Sequence, residues 1–84
     1  MTSLEDAAGE QIRTADRRLA ELEARTLHLA DEERLARFRG DLSRVQGLEA
    51  AKRQVEGERA HLQRERAKWV GTLAHGRHPV SIAR

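Results

Sequence analysis

The stretch RLARFRGDLSRVQGLEAA, residues 34–51, decides the fold. Leu35, Phe38, Leu42, Val45 and Leu48 recur at helical spacing, yet Gly40 and Gly47 interrupt them. Upstream, Leu4, Ala8, Ile12, Ala15, Leu19, Leu22 and Leu29 repeat at three- and four-residue steps, the a/d pattern of a helix with one apolar seam. At about 100° per residue, Leu35, Phe38, Leu42 and Val45 fall more than a quarter turn from that seam, and Leu48, Val55, Leu62, Trp69 and Leu73 form a third block. A straight rod would put its middle apolar residues on the wrong face. A reversal resets the phase and lets both stripes face inward.

The chemistry of a reversal is present. Gly40 suits the left-handed position that ends many helices, and Asp41 and Ser43 are good helix starters, with Ser43-Arg44-Val45-Gln46 in capping-box form. Thr2-Ser3-Leu4-Glu5 has the same form at the start of the chain. The reading is therefore an all-α antiparallel hairpin: a helix over about 3–39, a turn at 40–42, and a second helix over about 43–74. Gly47 is an alternative break. A continuous coiled-coil rod and a three-segment bundle broken near Asp31 also satisfy the pattern. Glu21 with Arg25 and Glu33 with Arg37 are i,i+4 pairs that support the first helix.

Composition agrees with helix and excludes much else. Ala, Glu, Leu and Arg dominate, 36% of the 84 residues are charged, and the 38% hydrophobic share includes thirteen alanines with only one Phe and one Trp. Little bulk remains for a core, and a domain of this length buries only roughly 60% of the surface its unfolded chain exposes. The flanking Leu27, Phe38 and Val70 need cover, so the expectation is a homo-oligomer, a dimer of hairpins making a four-helix bundle, or a subunit of a hetero-complex. Ile12, Leu19, Leu22, Leu29, Leu48, Val55, Leu62 and Trp69 are the predicted oligomer seam. Phe38, Leu42 and Val45, near the turn and off the main stripe, are the predicted partner patch.

Cysteine is absent, so neither disulfides nor thiolate metal sites brace the chain. No apolar run approaches the ~20 residues of a membrane span, and the acidic start MTSLEDAAGE is unlike a secretion signal. These features predict a cytoplasmic protein with no membrane partner. The excess of Arg over Lys is associated with GC-rich bacterial coding.

Net charge is +2, but residues 1–33 carry nine acids against four arginines, leaving +7 for the remainder. One reading is that the two halves lie antiparallel and neutralise each other. The other is a basic surface for nucleic acid, in which Arg59, Arg64, Arg66 and Lys68 bind phosphates nonspecifically. Without aromatic platforms or a recognition helix, sequence-specific readout is not expected.

No residue set amounts to a catalytic, cofactor or metal site. Ser3, Ser43 and Ser81 lack an adjacent histidine or a nucleophile elbow, and the six glycines are too scattered for a phosphate loop. His75 and His78 have a spacing that metal sites use but no supporting ligand, and a turn at Gly40 keeps His28 and His61 apart. The segment Ile12-Arg13-x-x-Asp16-x-x-Leu19-x-x-Leu22 resembles the opening helix of the small helical chorismate mutases, which would place Arg13 near a substrate. The lysine and Asp-x-x-Arg-Glu element of that family have no counterpart here. Trp69-Val70-Gly71 is similar to the Trp-x-Gly turn of small secreted helical hairpins, but stands fifteen residues from the end of the sequence, so Trp69 is read as a seam residue. Gly76 and Pro79 predict that helix ends by His75, leaving residues 76–84 as a tail whose Val80-Ser81-Ile82 reads as a docking peptide or a frayed end. The function these features predict is a non-enzymatic helical interaction module: an adaptor, assembly factor or small chaperone-like subunit.

Overall fold

The computed structural model describes residues 3–77, which form two α-helices of 36 residues each, α1 (Leu4–Arg39) and α2 (Leu42–Arg77). They pack side by side as an antiparallel hairpin measuring 62 × 29 × 13 Å. No strand occurs among the described residues.

Two residues reverse the chain. Gly40 takes φ 72° and ψ 21°, and its N–H donates to the carbonyls of Ala36 and Arg37. The Asp41 N–H donates to the Ala36 carbonyl at 2.9 Å. Together these bonds close a Schellman motif and satisfy carbonyls that a bare helix end would leave unpaired. Asp41 then starts α2, its Oδ1 accepting from the Arg44 N–H at 3.1 Å and its carbonyl from the Val45 N–H at 3.0 Å. The start of α2 is thus capped by Asp41 rather than Ser43, because a two-residue connection leaves Ser43 already inside the first turn. At the other end of α1, Ser3 is the cap and its Oγ accepts from the Asp6 N–H at 3.1 Å. The Ser3-to-Asp6 spacing replaces the predicted Thr2-to-Glu5 box; Thr2 lies outside the described residues.

Gly47 makes no break, and α2 also passes through Gly57 and Gly71. The helix ends later than the sequence implies, running through Gly76 to Arg77. Gly76 lies within the helix rather than ending it. The predicted tail therefore loses its first two residues to α2, and the Val80-Ser81-Ile82 peptide lies outside the described residues.

The core is a single row on each helix. On α1, Ala8, Ala15, Leu22, Leu29 and Ala36 are buried at strict seven-residue intervals. On α2, Val45, Leu48 and Val55 are buried, with Ala51 and Leu62 packed partly against them. The reversal therefore resets the phase, but it does not turn the whole 35–45 stripe inward. Ala36 holds the inward position of the last α1 heptad, which leaves Leu35 and Phe38 outside.

Among the described residues, five ion pairs cross between the helices. Asp16 meets Arg66 at 2.6 Å, Arg18 meets Glu58 at 2.6 Å and Glu32 meets Arg44 at 2.7 Å. Glu33 meets Lys52 at 2.9 Å and Arg37 meets Glu49 at 3.4 Å. Three of them set an acid from the acidic half against a base from the basic half, so the charge asymmetry is used within the chain.

Candidate interaction site

Among the described residues, the two most exposed large apolar side chains stand at the turn end of the hairpin. Phe38 is 90% exposed and Leu42 is 70% exposed, with Leu35 half-exposed beside them. Helical geometry explains Phe38: two residues beyond buried Ala36, it is rotated by about 200° and so points away from α2. Leu42, first residue of α2, precedes buried Val45 by three residues, on the rim of the turn.

A shallow cleft of about 180 Å³ opens next to this patch, lined by Glu32, Leu35, Ala36, Arg39, Asp41 and Arg44. Its polar groups are mostly committed. Glu32 accepts from Arg44 at 2.7 Å and from His28 Nε2 at 2.6 Å, and Asp41 caps α2. Arg39 is a tip cation that forms no ion pair among the described residues. The tip is therefore an apolar surface on a hydrogen-bonded turn, with one uncommitted positive charge.

The predicted partner patch is divided by the structure. Phe38 and Leu42 stand outside, whereas Val45 is 4% exposed and belongs to the interhelical core. Val45 follows Asp41 by one helical turn, which points it at α1. Leu35 takes its place on the outer surface; the sequence pattern grouped it with the inward stripe, since alanine at 36 gives no hydrophobic signal to compete with it.

Half of the predicted oligomer seam closes within one chain. Leu22, Leu29, Leu48 and Val55 are buried between α1 and α2, while Ile12, Leu19, Leu62 and Trp69 are half-buried. Trp69 sits inside α2, not at a turn. Of the four candidate phosphate ligands, Arg66 is bonded to Asp16 and Lys68 to Glu65 at 3.1 Å. Arg59 and Arg64 are exposed without an ion pair among the described residues.

The titratable groups with shifted pKa values belong to these ion pairs. Hydrogen bonds from Lys52, then Arg37, hold the Glu33 carboxyl below the usual carboxylate range. The Arg18 guanidinium does the same to Glu58, and Lys68 to Glu65. Arg18 itself is raised, chiefly by its hydrogen bond to Glu58. Each shift has the sign of a stabilised ion pair, so none marks a poised acid or base.

Among the described residues no three His, Asp or Glu side chains form a group able to hold a metal ion. His28 pairs with Glu32 on its own helix, and His78 lies outside the described residues. No described helix is long and apolar enough to cross a membrane. Comparison with protein-family models, with curated proteins and with solved structures gives no match to this chain.

Proposed function

We propose that this chain is a non-enzymatic helical protein–protein interaction module, an adaptor, assembly factor or small chaperone-like subunit, that offers the tip of its hairpin to a partner protein. The observation that carries this reading is the exposure of Phe38 and Leu42 on either side of a hydrogen-bonded turn. A large aromatic in water forgoes about 25 cal/mol for each Å² of apolar surface it could bury. The helices behind the patch are fixed by buried Ala36 and Val45, so a partner would meet a preorganised surface.

Phosphate binding is the weaker reading, because Arg66 and Lys68 are already engaged by carboxylates and a phosphate would have to displace them. It rests on Arg59 and Arg64 and requires affinity that falls steeply with salt.

The test is a comparison of captured proteins for the wild-type chain and the double substitution Phe38→Ser, Leu42→Ser. Both side chains are largely in water, so far-UV circular dichroism should show unchanged helicity. One or more specific partners should be lost. Retention of every partner by the double variant removes the tip from the interface, and collapse of helicity would assign both residues to the fold instead.

A further inference from the structure

The hairpin has two broad faces, and their charges are arranged differently. Relative to buried Ala15, Asp16 is turned about 100° to one side and Arg18 about 60° to the other. Their bonds to Arg66 and Glu58 therefore lie on opposite faces. Ile12 and Leu19, turned about 60° and 40° from Ala15, lie on the Asp16 side. On α2, Val70 and Leu73 lie on the Arg66 side of Trp69 by the same reckoning. This face thus carries four large apolar side chains; Ile12, Leu19 and Leu73 are half-buried and Val70 is 41% exposed.

The same face sets acid on α1 level with base on α2. Asp16 is bonded to Arg66 and Glu33 to Lys52. Seven residues on from Asp16 and seven back from Arg66 stand Glu23 and Arg59, at one height on this face. Both are exposed, and neither forms an ion pair among the described residues. Arg37 and Glu49 are opposite in sign as well, in reversed order, and only Glu56, level with Thr26, lacks a complement.

Symmetry converts this pattern into a choice of partner. A twofold axis parallel to the hairpin lays α1 of one copy over α2 of the other at equal height, so that acid meets base. A twofold axis across the hairpin would lay α1 on α1 and bring Asp16, Glu23 and Glu33 toward like charges. We propose that this face pairs with the same face of a second copy about the parallel axis. The product is a four-helix bundle that covers Ile12, Leu19, Val70 and Leu73, joins each Glu23 to the partner's Arg59, and presents both Phe38 tips at one end.

Charge reversal in two separate chains tests the pairing. Glu23→Arg alone and Arg59→Glu alone each create two like-charge contacts in a dimer, while an equimolar mixture restores two attractive ones. By sedimentation equilibrium, each variant should self-associate on the order of tenfold more weakly than wild type, and the mixture should recover wild-type association. Recovery on mixing cannot come from contacts within a chain. As the sequence has no cysteine, a spin label on Ser43→Cys in the otherwise wild-type chain reports orientation without either charge substitution. Neighbouring helix axes are about 8–10 Å apart, so the two labels should be nearer than half the 62 Å hairpin length.

A wild-type chain that is monomeric at every concentration, a mixture no tighter than its components, or labels about one hairpin length apart would overturn the proposal. Phe38 and Leu42 are not on this face, so any of these results leaves the tip reading standing.

Discussion

The half of the hairpin next to the turn and the half at its open end have the same helices and the same spacing, yet only one has a closed core. Near the turn, Leu22, Leu29 and Ala36 interlock with Val45, Leu48 and Val55, all buried. At the open end the buried row of α1 shrinks to Ala8 and Ala15. There Leu62, Trp69 and Leu73 of α2 remain half-buried, and Arg59 and Arg66 occupy flanking seam positions. Small residues in the central row admit α2 closely but offer no width to cover its bulk. The turn half is therefore a self-sufficient core, and the open half is a surface that another helix pair can complete.

This difference predicts unequal responses to the same kind of truncation. Leu22 is only 1% exposed, and Leu22→Ala should cost about 2–5 kcal/mol. That is a large share of the 5–15 kcal/mol typical of natural domains, so cooperative unfolding in urea should shift far toward zero denaturant or vanish. At dilutions where the hairpin is unpaired, Ile12→Ala in the open half should cost about 1 kcal/mol by the same measurement, because part of its side chain meets water there. Equal costs would mean that the open half is as well packed as the turn half, and the contrast drawn between them would fail.

The turn itself separates two glycines that look alike in the sequence. Gly40 has φ 72°, where a side chain costs about 1–2 kcal/mol, so Gly40→Ala should lower stability by about that amount. Gly47 lies inside α2 with open space around the position of a Cβ. Gly47→Ala should therefore raise stability by about 0.5–1 kcal/mol. Opposite signs for one substitution would locate the reversal at Gly40 in solution, and a gain at Gly40 would move it elsewhere.

Much of this architecture is readable from the chain. The phase shift between the Leu29 and Leu48 blocks requires a reversal, and Gly40-Asp41 supplies the residues for one. The opposed charge of the two halves anticipates the Asp16–Arg66, Glu32–Arg44 and Glu33–Lys52 pairs. What escaped the pattern depends on residues that carry no hydropathic signal or on choices of one helical turn. Ala36 continues the buried row, but alanine fits inside and outside alike, so the pattern assigns Leu35 to the inward stripe. Asp41 and Ser43 are both good caps, and only the two-residue length of the connection selects Asp41. Val45 was grouped with Phe38 and Leu42 by linear proximity, although the turn lies between them and reverses which way the chain faces.

The smallest effect concerns acid. Glu33 near the turn and Glu58 toward the open end both titrate below the usual carboxylate range because a cation donates to each. In the unfolded chain they titrate near pH 4.3. The folded state thus binds protons less readily, and the stability these pairs contribute is complete above that value and fades as pH falls through the lower folded pKa. Denaturant midpoints should be flat across neutral pH and decline below about pH 4. Side-chain exposure ranks the two, since Glu33 is 14% exposed and bonded to both Lys52 and Arg37, while Glu58 is 41% exposed. Less water competes for Glu33, so Glu33→Gln should remove more of the acid sensitivity than Glu58→Gln. The reverse order would mean that the Arg18–Glu58 pair is the more enclosed of the two in solution.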